Sequence, residues 1–406
     1  YTGTDDGVLS VTKDAGKTWT NVFGKVTGVP AGTYVSEVVP SRFDEHTVYA
    51  TFAGHRQNDF GTYVYASSDA GQTWKSIGAN LKDEVARTLT EDLKNPDVLY
   101  LGTETGLFVT VDRGKSWTRI RANLPTVRID EITLHPRDNA MLLATHGRAI
   151  WILDHLAPIQ EWAAAQAAAD AKLFSPPPFA LYRRPARDRN YEFWGDQTFF
   201  GQNPPQAAVL TWFLKKDVGE VKLKVTDAAG REVREISGSV LANSNKAGVQ
   251  AACWDLRVQP LAGPQLTVTG AAPAAGGRGA GQAGGQPAAG GQQPGGPGGG
   301  AGAASPFGAG CGTGGGGFGG GGFGGGAATA GPYVLPGTYN VSLIVDGKTV
   351  ETKPLRVMAD AEVALTEIDR KRNFDMAMEM HELQKRATEV QNALRPLTTR
   401  MTELTK

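Results

Sequence analysis

One eight-residue pattern occurs three times in the amino-terminal part of the chain, and it restricts the fold more than any other feature. The pattern is Ser/Thr-x-Asp-x-Gly-x-Ser/Thr-Trp. Its copies carry Thr12, Asp14, Gly16, Thr18 and Trp19, then Ser67, Asp69, Gly71, Thr73 and Trp74, then Thr110, Asp112, Gly114, Ser116 and Trp117. Each copy follows an apolar run suited to a strand, at 8–11, 63–66 and 107–111, and a further short strand begins at its Trp. Upstream runs repeat as well: 35–40 with 48–52, 86–92 with 98–104, and 127–136 with 141–147 and 149–154. Short strands separated by turn signals, repeating roughly every 40–55 residues, predict four-stranded propeller blades.

The repeated box has a mechanical logic. The Asp carboxylate accepts backbone N–H groups across a tight turn. Gly supplies a positive φ at no steric cost. The Ser or Thr hydroxyl ties the turn to its strand, and the Trp packs between neighbouring blades, where burial of a large apolar side chain contributes about 1.5–3 kcal/mol. The boxes are therefore expected to hold blades together and to contact no ligand. The first unit shows only its last strands, two full blades follow, and a fourth unit lacks an outer strand and a box. Roughly three and a half blades fall short of the 4–8 of a closed ring. The expectation is that the chain, which opens at Tyr1 within a strand, is the C-terminal fragment of a larger one whose upstream blades close the ring.

The expected fold class is mainly β: a partial Asp-box β-propeller over 1–158, an Ala/Pro-rich linker over 159–178, an Ig-like β-sandwich over 179–358, and an amphipathic C-terminal α-helix over 359–406. Trp254 and Tyr339 are its expected core aromatics. A low-complexity insert at 263–332 interrupts the sandwich. It holds more than half of the 53 glycines and is expected to be disordered, because it cannot bury enough apolar surface to offset ordering entropy. In the helix, Met376, Met380, Leu383, Ala387, Val390, Leu394, Leu397, Met401 and Leu404 alternate spacings of four and three, a heptad seam. It suits packing against a following helix or self-association, and Pro396 should interrupt or kink it.

Lys plus Arg equals Asp plus Glu at 41 each, so net charge gives no reason to expect nucleic acid as a partner. No apolar run reaches the ~20 residues of a membrane span. Two cysteines, Cys253 and Cys311, make no disulfide framework and no zinc site. One bond between them is open to the chain, and the Gly-rich surroundings of Cys311 speak against it.

The three boxes, the turns at 3–7 and 102–106, and the segment ATHGRAIWILD at 144–154 make the chain similar to the bacterial sortilin-like (BNR-repeat) β-propeller proteins, often labelled glycosyl-hydrolase-like. CWDLR at 253–257 and GPYVLPGTYNVSLIVDGKT at 331–349 resemble the module that follows their propellers. The resemblance implies export to an extracytoplasmic location, a propeller and an accessory sandwich. It leaves activity open, since such boxes occur in binding proteins and in glycosidases alike.

Functional candidates lie on the turns opposite the boxes. His55, Arg56, His146 and Arg148 are the ligand-face candidates, and Asp5, Asp6, Asp59 and Glu104 are the acids available for glycoside hydrolysis. Arg119, Arg128 and Arg148 do not fall in a sialidase-type motif. No cofactor and no metal site are expected. The leading expectation is a secreted, non-catalytic binding or scaffold protein whose propeller engages a protein, peptide or glycan. The alternatives are a glycoside hydrolase with its catalytic acids mostly in upstream blades, and a structural component of a cell-surface assembly.

Overall fold

A computed structural model describes residues 1–181, 205–261, 311 and 330–404. The disorder expected over 263–332 falls outside the described residues, apart from Cys311 and 330–332. The structure is mainly β. The box-bearing segment forms four successive antiparallel sheets. The first is β1 (Thr2–Gly3), β2 (Leu9–Val11) and β3 (Thr20–Asn21). The second is β4 (Tyr34–Pro40), β5 (Val48–Ala53), β6 (Tyr63–Ser67) and β7 (Lys75–Ser76). The third is β8 (Ala86–Glu91), β9 (Leu99–Thr103), β10 (Leu107–Thr110) and β11 (Thr118–Ile120). The fourth has three strands, β12 (Ile129–His135), β13 (Ala140–Thr145) and β14 (Ile150–Leu153).

Each box is the turn between the third and fourth strands of its blade, and the three copies have the same bonding. Asp14 Oδ1 accepts the Thr12 hydroxyl and the Thr18 N–H, both at 2.8 Å, and Oδ2 accepts the Thr18 hydroxyl at 2.6 Å. The Thr12 hydroxyl oxygen accepts the Gly16 N–H at 2.8 Å. Asp69 and Asp112 repeat these bonds to within 0.1 Å. The hydroxyl and N–H of Thr18, and likewise of Thr73, hold the carboxyls of Asp14 and Asp69 down to about 2. Two consecutive residues of the turn are left-handed, Ala70 at φ 57° and Gly71 at 81° in the second copy. Sequence reading accounts for the glycine only.

Blades are fastened to one another by the box Trp and by buried polar contacts. Trp117 is 4% exposed, and its Nε1–H donates at 2.7 Å to the carbonyl of Ile77 in the preceding blade. Trp74 is buried with Leu9 and Val22 of the blade before it. Trp19, by contrast, is 49% exposed. Buried Glu91 in the third blade accepts the Ser41 hydroxyl at 2.8 Å, the Arg42 N–H at 2.6 Å and the Tyr49 phenol at 3.1 Å, all from the second.

The segment 159–178, expected to be a linker, is packed structure. Helices α1 (Ala157–Gln160) and α2 (Trp162–Ala167) follow the last blade directly. Buried Gln160 donates to both carboxylate oxygens of Asp92, at 3.1 and 2.9 Å, and to Asn139 at 2.9 Å. Strand β15 (Ala171–Leu173) already belongs to the second region, so that region starts before Phe179. The physical reason is that Ala165, Leu173 and Phe174 are fully buried and require a packed site.

In the second region two sheets face each other across one core. One has the order β15, β17 (Ala208–Leu214), β20 (Gly248–Trp254). The other has β16 (Phe179–Leu181), β22 (Lys348–Ala359), β21 (Gly337–Val345), β18 (Val221–Thr226) and β19 (Glu232–Ile236), with β16 parallel to β22. Trp254 and Tyr339 meet edge to face in that core, with ring centroids 5.4 Å apart. Cys253 and Cys311 form a disulfide, with Cα atoms 4.9 Å apart. The sequence left this pairing open, because spacing along a low-complexity tract carries no information about where the tract returns. Helix α3 (Glu367–Leu404) begins later than expected, because Asp360 first forms a turn by accepting the Glu362 N–H at 3.0 Å. The helix continues through Pro396 without a break, contrary to the interruption expected there.

Candidate functional site

Turns of an antiparallel meander alternate between its two ends. The turns joining second to third strands therefore lie away from the boxes, at 4–7, 54–62, 104–106 and 146–149. The first strands of the blades begin at this same end, and each begins with an irregularity. Register shifts fall between Val35 and Glu37, Ala86 and Thr88, and Ile129 and Glu131. One residue of each first strand, namely Ser36, Arg87 and Asp130, is thus left out of the pairing. Such bulges re-aim a side chain and interrupt the ladder.

The three bulged residues reach from blade to blade. Ser36 Oγ–H donates at 3.0 Å to the carbonyl of Ala86. Arg87 Nη2 lies 3.8 Å from Asp130 Oδ1, and Arg87 Nε lies 3.6 Å from Glu104 Oε1. Asp130 also pairs with Arg128, Nε to Oδ1 at 2.7 Å, and with His146 Nδ1 at 3.5 Å. Arg128 Nη2 and His146 Nδ1 are 2.6 Å apart. His55 is close enough that Glu104, Arg87, Arg56 and Arg128 all act on it, and burial is the largest cause holding its imidazole below the usual range. Six side chains from three blades therefore form one mixed-charge cluster: His55, Arg87, Glu104, Arg128, Asp130 and His146.

The cluster is incompletely satisfied. Among the described residues, eight buried side-chain polar atoms lack a hydrogen bond, and four of them are here: His55 Nδ1, Arg87 Nη1, Glu104 Oε1 and Arg128 Nε. Arg128 Nε is close to Asp130 but out of line for a hydrogen bond, whereas Arg87 Nη1 has no acceptor. Unpaired buried polar groups are uncommon, and their concentration at one place requires a reason.

The structure separates the candidates read from the sequence. Glu104, His55 and His146 join the cluster. Asp59 instead shapes its own loop, accepting the Gly61 N–H at 2.9 Å and the Tyr63 phenol at 2.8 Å. Asp6 accepts the Thr4 hydroxyl within its own turn, and Asp5 is exposed beside it. Arg56 stands over the Tyr34 ring at 5.4 Å, and Arg148 is exposed, its carbonyl accepting the Trp151 indole N–H at 2.8 Å. Arg87 and Asp130 were not among the sequence candidates. Their signal lies in a broken alternation: Val35 to Val38, Ala86 to Leu89 and Ile129 to Ile132 each place two polar residues between apolar ones where a regular strand has one. Among the described residues no three His, Cys, Asp or Glu side chains gather as a cation site.

Residues 62–156, which span the last two boxes and five of the six cluster residues, match the family described as "Sortilin, neurotensin receptor 3". These blades are sortilin-like propeller repeats. Vacuolar protein sorting/targeting protein 10 of Kluyveromyces lactis is 35% identical over 65 residues, a match that spans 15% of this chain and 4% of the yeast protein. Similar solved structures include the GH74 xyloglucanase of Xanthomonas campestris, with 16% identity, a TM-score of 0.29, and coverage of 42% of this chain and 32% of that one. YCF48 bound to D1 peptide is another, with 14% identity, a TM-score of 0.26, and coverage of 58% and 63%. The sortilin-like repeats thus account for the blades. The residues gathered at the bulges have to be read on their own.

Proposed function

We propose that this chain is part of an extracytoplasmic, non-catalytic binding protein whose blades hold a polar ligand, a protein, peptide or glycan, at the bulged ends of the first strands. The observation that carries this reading is the convergence of unpaired buried donors and acceptors on Arg87, Arg128, Glu104 and His55. A ligand offering acceptors to the guanidiniums and a donor to Glu104 would complete them. Both acids of the cluster lean on the one guanidinium of Arg87, an arrangement suited to fixing that guanidinium. The disulfide supports an oxidising compartment. Further blades of the same type would pack on exposed Trp19 and pair along β14, whose Ile150 and Ile152 are exposed on an edge with no fourth strand among the described residues.

Arrays of glycans and of peptides, probed with the wild-type chain and with Arg87→Met, test the reading. Retention of at least one ligand class by the wild type, with at least tenfold weaker binding by Arg87→Met, is the expected result. Hydrolysis of an arrayed glycan that is lost in Glu104→Gln would instead establish an enzyme.

A further inference from the structure

Helix α3 meets the second region with one face and carries exposed apolar residues on another. His381 Nε2 meets the carbonyl of Gln259 at 3.1 Å, and Phe374, Ala377 and Met378 are half-buried. The heptad seam from Met376 to Leu404 points elsewhere, and its large members are 43–80% exposed. At 38 residues the helix is about 57 Å long. Pro396 lies two positions beyond Leu394, on the side away from the seam.

We infer that two copies of this chain associate through α3, with their helices antiparallel. The charges beside the seam select both orientation and register. In an antiparallel pair, the residues just before each first core position flank one another. Here these are Glu379, Arg386, Ala393 and Arg400. Layering Met380 on the partner's Leu397, and Ala387 on the partner's Val390, sets Glu379 beside the partner's Arg400. Two-fold symmetry forms that ion pair twice. The next register, one heptad along, would place Arg386 beside the partner's Arg400, a repulsion. A parallel pair would set Glu379 against Gln384 and Arg386 against Gln391, which offers no ion pair. The chosen register also brings Gln384 opposite the partner's Gln391.

Sedimentation equilibrium of the 406-residue chain is the test. The wild type is expected to be a dimer, and Leu394→Asp a monomer with the melting temperature of its β regions unchanged. Glu379→Arg and Arg400→Glu are each expected to weaken the dimer roughly tenfold, because both symmetric pairs turn repulsive. The double variant should restore it. A wild type that stays monomeric, or a dimer indifferent to both reversals, would overturn the proposal. Rescue failing in the double variant would overturn the antiparallel register.

Discussion

The two ends of the blades follow different rules. At the box end the three box-bearing blades repeat the same bonds, and each Asp spends its oxygens on its own turn. At the other end no two blades match. Ser36, Arg87 and Asp130 occupy equivalent bulges with unlike chemistry, and they bond across blades as well as within them. A closed set of local bonds builds architecture and has nothing left to offer a ligand. An open, unequal set costs stability and leaves donors and acceptors that a ligand could pair.

Substitutions can break this contrast, and the largest effect belongs to the box Trp. Trp117→Ala should destabilise by about 3–5 kcal/mol in denaturant unfolding, the cost of emptying an aromatic site in a core. Trp19→Ala, at the same motif position but half exposed, should cost under about 1 kcal/mol. Equal losses at the two positions would show that the Trp acts within its own turn and not between blades. Next in size is Asp69→Ala, which leaves the Thr73 N–H without its acceptor and should lower the denaturation midpoint by less than Trp117→Ala does. Acid titration gives a smaller, graded effect. The carboxyls of Asp14 and Asp69 are lower in the folded chain than the ordinary 3.8, so they favour folding above that value. That contribution is lost as pH falls from about 4 towards 2, and Asp69→Ala should flatten this limb of the profile. The smallest effect on stability is expected for Arg87→Met, within about 1 kcal/mol, since its acid partners are partly solvated. The same change should have the largest effect on binding.

Legibility in the sequence follows the same division. The box is local: eight consecutive residues contain the acceptor, the left-handed glycine and the packing Trp, so its geometry could be reasoned from them. The cluster is assembled from residues up to 91 positions apart, His55 to His146, and only blade stacking brings them together. Two of its members could have been found in the broken alternation of the first strands. Composition misled at 159–178, where alanine and proline suggested a linker and the burial of Gln160 and Phe174 shows a packed junction. Asp59 and Glu104 are both acids on equivalent turns, and only tertiary contacts show that one shapes a loop and the other holds a guanidinium.

The bond between Cys253 and Cys311 bears on how this protein can change over generations. It bridges a sequence separation of 58, most of it glycine, alanine, glutamine and proline. Replication slippage readily lengthens or shortens such repetitive coding sequence. Doubling the loop would raise its closure cost by only about 0.6 kcal/mol. A protease cut between the cysteines would leave the two pieces covalently joined. The clasp therefore lets the intervening tract vary widely in length while the strand that carries Cys253 keeps its place in the sheet.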